Sequence, residues 1–396
     1  METPAAISMI EIPGRGRSMV ALRPLKAGEV ILKDSPIILY SALPFHPTNP
    51  QNIYCSNCFI KISNHPQKIS CPTCSSSQFC TPNCQAVAST TSHTPWVCQM
   101  TSYLQPYFSE NRLPFDTQLQ ARYLVSAYNL AVVSPTKFQT LLSLDGSGGG
   151  ESDQTVNFLH SLIGSVCKPM PAEIGFCLEL TCALLAKDKV NAFGLMEPFD
   201  EEREERSVRA YGIYPVASFF NHDCLPNACR FDYIDVSDGM NVGKNSEISI
   251  RMIHDVVEGR EICLSYFPVN LKYSERQKRL KDEYGFACEC DRCKVEANWS
   301  DSEDDGVEMD DGDDGKDEGE ETTMDEDVDE EMEGQDGSVV LNGDEGEFPH
   351  SYFFLNYMCD RKNCWGTLAP LPPSVATSHS VMECNVCGNF RKLDQV

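Results

Sequence analysis

The chain has 396 residues, 41% of them hydrophobic, enough for more than one domain and a sizeable core. Its net charge of −27 is concentrated: residues 301–347 hold 24 acidic residues and one basic residue, Lys316, and carry −23 of it. The remaining body is almost neutral and argues only weakly against nucleic acid; with no leader-like start in METPAAISMIEIPGRG and no run of roughly 18 apolar residues, a soluble intracellular protein is expected.

In chain order, residues 14–40 alternate at Val20/Leu22 and Val30/Leu32 around a turn at Lys26-Ala27-Gly28, which predicts a β-hairpin or meander. Residues 55–98 are cysteine-rich with little apolar periodicity and read as a metal module inserted between strand regions. Helical spacing follows across 102–190. Leu119, Tyr123, Ala127 and Leu130 share one face, as do Ile174, Leu178, Thr181 and Leu185, with the second helix expected to start at Pro171. DGSGGGESD (145–153) reads as a flexible loop and DEEREER (200–206) as an exposed charge run. β character returns from 211 to 266, where Ile248/Ile250/Met252 and Ile262/Leu264/Tyr266 alternate around VEGRE. Ser274 to Tyr284 reads as a short helix with Ser274 and Gln277 in capping-box positions. The acidic segment cannot bury enough apolar area to offset chain entropy, and disorder is expected there. Order is expected to resume near Phe348, where SYFFLNY (351–357) leads into four more cysteines.

Twenty cysteines without a secretion signal favour metal over disulfides. The first cluster is Cys55-x2-Cys58, Cys71-x2-Cys74, Cys80-x3-Cys84 and His93-x4-Cys98, eight ligands in 44 residues. A Cys-x2-Cys pair puts two thiolates on one tight turn, so two four-coordinate zinc ions account for all eight. The second cluster, Cys288-x-Cys290-x2-Cys293, supplies only three ligands; Cys224, in NHDCLPN (221–227), is the candidate for the fourth. The third, Cys359-x4-Cys364 with Cys384-x2-Cys387, reads as a zinc ribbon. All four sites are closed, hence structural. Cys167, Cys177, Cys182, Cys229 and Cys263 are left as small buried hydrophobes.

The first cluster resembles the MYND finger, in which ligand pairs interleave. That resemblance implies one ion on Cys55, Cys58, Cys80 and Cys84 and another on Cys71, Cys74, His93 and Cys98. The wider pattern resembles the SET-and-MYND protein-lysine methyltransferases. Its pieces occur in order: Gly14-Arg15-Gly16, the finger, Asn191-Ala192-Phe193, Tyr211 to Pro215, Asn221-His222 to Asn227, Ser265-Tyr266, and Tyr284 to Cys293. The resemblance covers about the first three quarters of the chain. It implies a mixed, mainly β fold: a SET-domain β-fold with an inserted MYND zinc finger and helical insertion and a cysteine-rich post-SET zinc site; composition and cysteine spacing add a disordered acidic linker and a C-terminal zinc ribbon. The expected boundaries are 1–50 and 191–270 for the two parts of the SET core, 51–98 for the finger, 99–190 for the helical insertion, 271–297 for post-SET, 298–347 for the linker and 348–396 for the ribbon.

By the same resemblance the cofactor is S-adenosylmethionine. Gly14, Arg15, Gly16, Asn191, Asn221, His222, Tyr266 and Phe286 would bind it, and Tyr266 would be the catalytic hydroxyl. Tyr214 and Tyr284 would wall the substrate channel. The zinc on Cys224 would pin the 221–224 loop against the segment carrying Phe286. Gly259-Arg260-Glu261, where relatives carry acidic residues directly after the glycine, reads as a surface change. Many relatives carry a large helical-repeat domain after the post-SET cysteines, where this chain has a linker and short ribbon, so substrate identity does not carry over.

The resulting expectation is an S-adenosylmethionine-dependent lysine methyltransferase acting on histone tails in the nucleus, with the cytoplasm also permitted, and with a proline-containing peptide as a partner of the finger. The competing reading is a catalytically silent scaffold that binds proline-containing or histone peptides. Sequence-specific DNA binding fares worst, because residues 51–98 hold only Lys61 and Lys68 as positive charges. The acidic segment reads either as an entropic spacer or as a docking site for basic tails.

Overall fold

The computed structural model describes residues 5–45, 53–63, 68–146, 152–166, 174–200, 202, 206–235, 245–298, 351–373 and 381–392. The acidic segment, Phe348, Cys167, Pro171, and most of the 145–153 loop and the 200–206 charge run lie outside them. The chain opens with β1 (Ile7–Ile12), β2 (Gly16–Ala21), β3 (Val30–Asp34) and β4 (Ile38–Ser41), then the short pair β5 (Ile69–Ser70) and β6 (Gln78–Phe79). Six helices follow: α1 (Pro82–Thr90), α2 (Pro95–Asn111), α3 (Phe115–Val133), α4 (Pro135–Ser143), α5 (Asp153–Val166) and α6 (Leu178–Asn191). Next come β7 (Ala192–Met196), β8 (Val208–Ile213), β9 (Asn221–His222), β10 (Ala228–Asp232), β11 (Ile248–Met252) and β12 (Cys263–Leu264). The last elements are α7 (Tyr273–Arg279), α8 (Asp291–Glu296), α9 (Ser351–Tyr357), β13 (Leu368–Pro370), β14 (Val381–Cys384) and β15 (Phe390–Lys392). None of the described helices is long and apolar enough to cross a membrane.

The strands form small sheets rather than one large one: β1-β2, β10-β11-β3, β4-β8-β7, β12-β9, β5-β6 and β13-β14-β15. The expected hairpin of residues 14–40 is not formed as such. β2 pairs with β1 through a turn at Pro13–Arg15, while β3 pairs with the distant β11. Alternation in a single stretch marks a strand but not its partner, and here the partner lies more than 200 residues away. Two apolar clusters support this arrangement. Met19, Leu25, Ile31, Phe220, Ile250, Met252, Ile262 and Leu264 bury the sheet faces. A second cluster, including Leu104, Tyr123, Leu124, Tyr128, Leu159, Ile163 and Leu184, joins α2–α6 to Ile38 and Tyr40 of β4.

Several local expectations change. α6 begins at Leu178 after Cys177, not at Pro171, and Leu178 is exposed while Thr181 and Leu185 are buried. α5 adds a helix beyond those expected, although Val156, Leu159 and Ile163 carry helical spacing and Ser152 Oγ accepts from Thr155 N at its start. α7 is capped two residues earlier than expected, with the Lys272 amide donating to Glu275 (3.1 Å). Gln277 serves instead to hold the metal-bearing segment, its side chain binding both the amide and the carbonyl of Cys288 (3.0 and 2.8 Å). Arg206 is not a surface charge; it is nearly enclosed and pairs with Asp232 (3.3 Å). Of the cysteines left over, Cys229 and Cys263 are buried, whereas Cys177, which caps α6, and Cys182 on it are exposed.

The C-terminal strands are fastened to β10 and β11. Arg251, fully buried on β11, pairs with Glu383 of β14 (2.8 Å), and Asn385 Nδ2 donates to the Arg230 carbonyl (3.2 Å). Gly28 sits under this contact with φ +79°, and a Cβ there would lie 2.6 Å from the Leu371 carbonyl oxygen. Only glycine satisfies both constraints.

Candidate active site and metal centres

Four groups of ligand atoms gather, and within each every donor lies within 4.8 Å of the others. They are Cys55/Cys58/Cys80/Cys84, Cys71/Cys74/His93/Cys98, Cys224/Cys288/Cys290/Cys293 and Cys359/Cys364/Cys384/Cys387. The Sγ–Sγ separations are 3.7 Å for Cys58–Cys80, 3.7 Å for Cys71–Cys98, 3.5 Å for Cys224–Cys293 and 3.5 Å for Cys364–Cys384. A disulfide needs about 2 Å. A tetrahedral ion with Zn–S bonds of about 2.3 Å places its sulfurs about 3.8 Å apart. The donor sets therefore fit zinc. His93 Nε2 lies 3.6 Å from Cys74 Sγ, while its Nδ1 is within 3.3 Å of Ser77 Oγ, a contact that fixes the ring with Nε2 toward the thiolates.

The third group joins distant stretches. A tetrathiolate zinc is a net dianion, and buried cations answer it. Arg276, fully buried on α7, donates Nε to Cys224 Sγ (3.2 Å) and Nη2 to Glu296 (2.5 Å); Arg292 pairs with the other oxygen of Glu296 (2.6 Å). His222 also approaches the Cys224 thiol. Its Nδ1 accepts from the Tyr266 amide (3.2 Å), so the proton of the neutral ring sits on Nε2, 3.3 Å from Cys224 Sγ. Burial pushes the imidazole down to about 3, which keeps it neutral. β9 runs parallel to β12, with Asn221 beside Cys263 and His222 beside Leu264. The chain leaving β12 thus delivers Tyr266 next to His222, their rings 5.2 Å apart.

Beside this knot lies a cleft of about 930 Å³. Gly14, Arg15, Gly16, Asn191, Asn221, His222, Tyr266, Tyr284 and Phe286 all line it. Gly14 and Gly16 have φ of +77° and +69°, and a Cβ on either would meet no atom within 4 Å, so the backbone of this turn faces open space. Asn191, buried at the end of α6, donates to the carbonyls of Asp145 (2.7 Å) and Lys187 (2.8 Å). Tyr266 and Tyr284 stand with ring centroids 4.8 Å apart, and the Tyr266 hydroxyl donates to the Phe220 carbonyl (3.0 Å). Burial raises both phenols above their usual value, so they stay protonated. Phe286 is 39% exposed, an aromatic face open to the cleft.

Tyr214 does not belong to this group. It is fully buried, its hydroxyl donates to the Ser246 carbonyl (2.7 Å), and its ring packs edge-on against Phe193. Its place is the sheet core, where an apolar body with one satisfied hydroxyl is stable. Sequence reasoning missed other participants. Asp145, Ser218, Phe219 and Glu289 line the cleft. Glu261, read as part of a surface change, binds Arg15 Nε (2.6 Å) and accepts from Asn221 Nδ2 (2.9 Å). No local spacing signals such a contact.

The model of the family described as SET domain matches residues 16–267. The histone-lysine N-methyltransferase ASHR2 of Arabidopsis thaliana is 53% identical over 98% of this chain and 95% of its own length. The human histone-lysine N-methyltransferase SMYD3 is 22% identical over 74% of this chain and 62% of its length, and the human N-lysine methyltransferase SMYD2 is 23% identical over 71% and 58%. The cleft is built from both ends of the matched region and the cysteine knot just beyond it, and the chain belongs to the SET-domain family of protein-lysine methyltransferases.

Proposed function

We propose that this cleft binds S-adenosylmethionine and that the chain methylates lysine side chains of histone tails in the nucleus. The observation that carries the reading is the convergence on one cleft of the open glycine turn 14–16, the Asn221–His222 strand, the Tyr266–Tyr284 aromatic corner and Phe286. When bound, the cofactor supplies a methyl group already activated as a sulfonium. The protein's share is placement and dehydration. The Gly14–Gly16 backbone, Asn191, Asn221 and His222 hold the cofactor, and the Phe286 ring covers its base. Tyr266 and Tyr284 wall the lysine channel. A lysine amine has an ordinary pKa of about 10.4 and attacks only when neutral. An apolar aromatic channel disfavours the ammonium, while the ring faces tolerate a cationic or methylated amine. The protonated Tyr266 hydroxyl orients the amine; neither phenol acts as a base, and the proton leaves with water.

The four zinc ions are structural in this reading, each enclosed by four protein ligands. A groove of about 400 Å³ on the finger, walled by Pro72, Phe79, Pro82, Ala86 and Pro95, supports a proline-containing peptide as its partner. The test is methyl transfer from labelled cofactor to a histone mixture. Transfer to lysine that fails with Tyr266→Phe supports the proposal. An inactive wild-type protein that also fails to bind S-adenosylhomocysteine overturns it in favour of a scaffold.

A further inference from the structure

We infer that Glu261 is a positioning residue for the cofactor: it locks the glycine turn and the Asn221 amide into one rigid unit. The inference rests on the reading of the cleft given above. Glu261 itself is well held. It forms an antiparallel bridge with Val20 of β2, and its neighbours are fixed on both sides, Ala21 N donating to the Arg260 carbonyl (3.0 Å) and Ile262 N to the Met19 carbonyl (2.8 Å). Its side chain is 16% exposed and reaches toward the glycine turn of the cleft wall. One carboxylate oxygen takes Arg15 Nε at 2.6 Å; the other accepts from Asn221 Nδ2 at 2.9 Å.

Both partners then become determinate. The Arg15 guanidinium, held by Glu261, also donates to the His222 carbonyl (3.2 Å) and contacts Cys263 Sγ (3.4 Å), so the residue between the two glycines is tied to β9 and β12. A turn with glycines at positive φ has high conformational freedom when free, and this side-chain tether restrains it before any ligand arrives. The Asn221 amide is fixed in the same way. Among the described residues its side-chain hydrogen bonds are all donated by Nδ2, to Glu261 Oε1, to Ser18 Oγ (2.7 Å) and to the Arg15 carbonyl (3.2 Å). A carboxylate and a carbonyl only accept, so the amide cannot be flipped, and Oδ1 is left as an acceptor on a residue that lines the cleft. That orientation suits a cationic amine such as the amino-acid end of S-adenosylmethionine. Arg15 in this chain therefore contributes through its side chain as well as its backbone, and the acidic residue two positions after Gly259 is its counterpart.

Glu261→Gln keeps the shape but removes the charge opposite Arg15 and presents an NH2 group to one of two donors. Isothermal titration with S-adenosylhomocysteine and steady-state kinetics with a histone peptide read the consequence. About tenfold weaker ligand affinity is expected, with the KM for cofactor raised in step and the KM for peptide unchanged. The double variant Arg15→Gln/Glu261→Gln should lose little beyond the worse single variant, because the residues act as a unit. Unchanged affinity in both Glu261→Gln and Glu261→Asp, or equal rises in both KM values, overturns the inference. A wild-type protein that does not bind S-adenosylhomocysteine would instead sink the reading of the cleft itself.

Discussion

Replacing Arg276 with leucine should loosen one zinc ion of the four and, through it, the cofactor cleft. Arg276 is fully buried. Its removal strips a donor from Cys224 Sγ (3.2 Å) and another from Cys293 Sγ (3.7 Å), leaves the Leu271 carbonyl with the longer bond from Arg292 Nη2 (3.3 Å) in place of the one at 2.6 Å, and leaves Glu296 with Arg292 as its one remaining cation among the described residues. Breaking a buried charge network by deleting one member costs about 3–5 kcal/mol. The surviving Arg292–Glu296 pair, at 2.6 Å, puts the loss at the low end, about 3 kcal/mol. For a chain of this size that is a fall in melting temperature of roughly 4 °C. Loss of an outer contact to a metal ligand weakens metal binding by about 10–100-fold. The assay is zinc release to a chromogenic chelator, followed with S-adenosylhomocysteine titration at each stage. One equivalent should leave early while three stay, and ligand affinity should fall with that equivalent, because His222 Nε2 loses its thiolate partner at 3.3 Å. Release of all the zinc at the wild-type rate refutes the charge argument. Early loss of one equivalent with affinity intact refutes the link through His222.

Tyr266→Phe removes a hydroxyl whose bond to the Phe220 carbonyl is worth about 1 kcal/mol, so thermal stability should change little while turnover falls about 100-fold; thermal melts and single-turnover methylation separate the two. Asp34 accepts from the amides of Val216 and Ala217 (2.8 and 2.9 Å), yet burial raises its carboxyl above the usual range. The folded state thus holds this proton more tightly than the unfolded chain. The residue's contribution is greatest at acid pH and declines as pH rises from about 3.9 toward the raised value. Asp34→Asn should therefore be at least as stable as wild type at neutral pH, and urea denaturation across a pH series should show that decline removed. Gly28→Ala forces an alanine into positive φ and against the Leu371 carbonyl at 2.6 Å, at a cost of about 1–2 kcal/mol or more. Limited proteolysis should then cut the C-terminal strands more readily, with the zinc content unchanged.

Legibility in the sequence followed the range of each interaction. Cys-x2-Cys pairs and alternating strands are local, and Cys288-x-Cys290-x2-Cys293 visibly lacks a ligand, which points to Cys224 far upstream. The SET fold with its cysteine clusters is accordingly readable from the residues alone. What local spacing cannot carry is partner choice: β2 and β3 look like one hairpin but serve different sheets. Nor does it carry side-chain direction, as Tyr214 shows by turning into the core while Tyr284, ten residues before Lys294 on the cysteine-bearing segment, turns to the cleft. Glu261 escapes notice for the same reason, since its two partners sit some 246 and 40 positions away.

A crystal of the protein grown with S-adenosylhomocysteine and a lysine-containing histone peptide tests the central claim most directly. The expected result places the cofactor product along the Gly14–Gly16 turn and under Phe286, with the peptide lysine reaching its sulfur between Tyr266 and Tyr284. A ligand bound outside this cleft, or a lysine entering without contact to Tyr266, would contradict it.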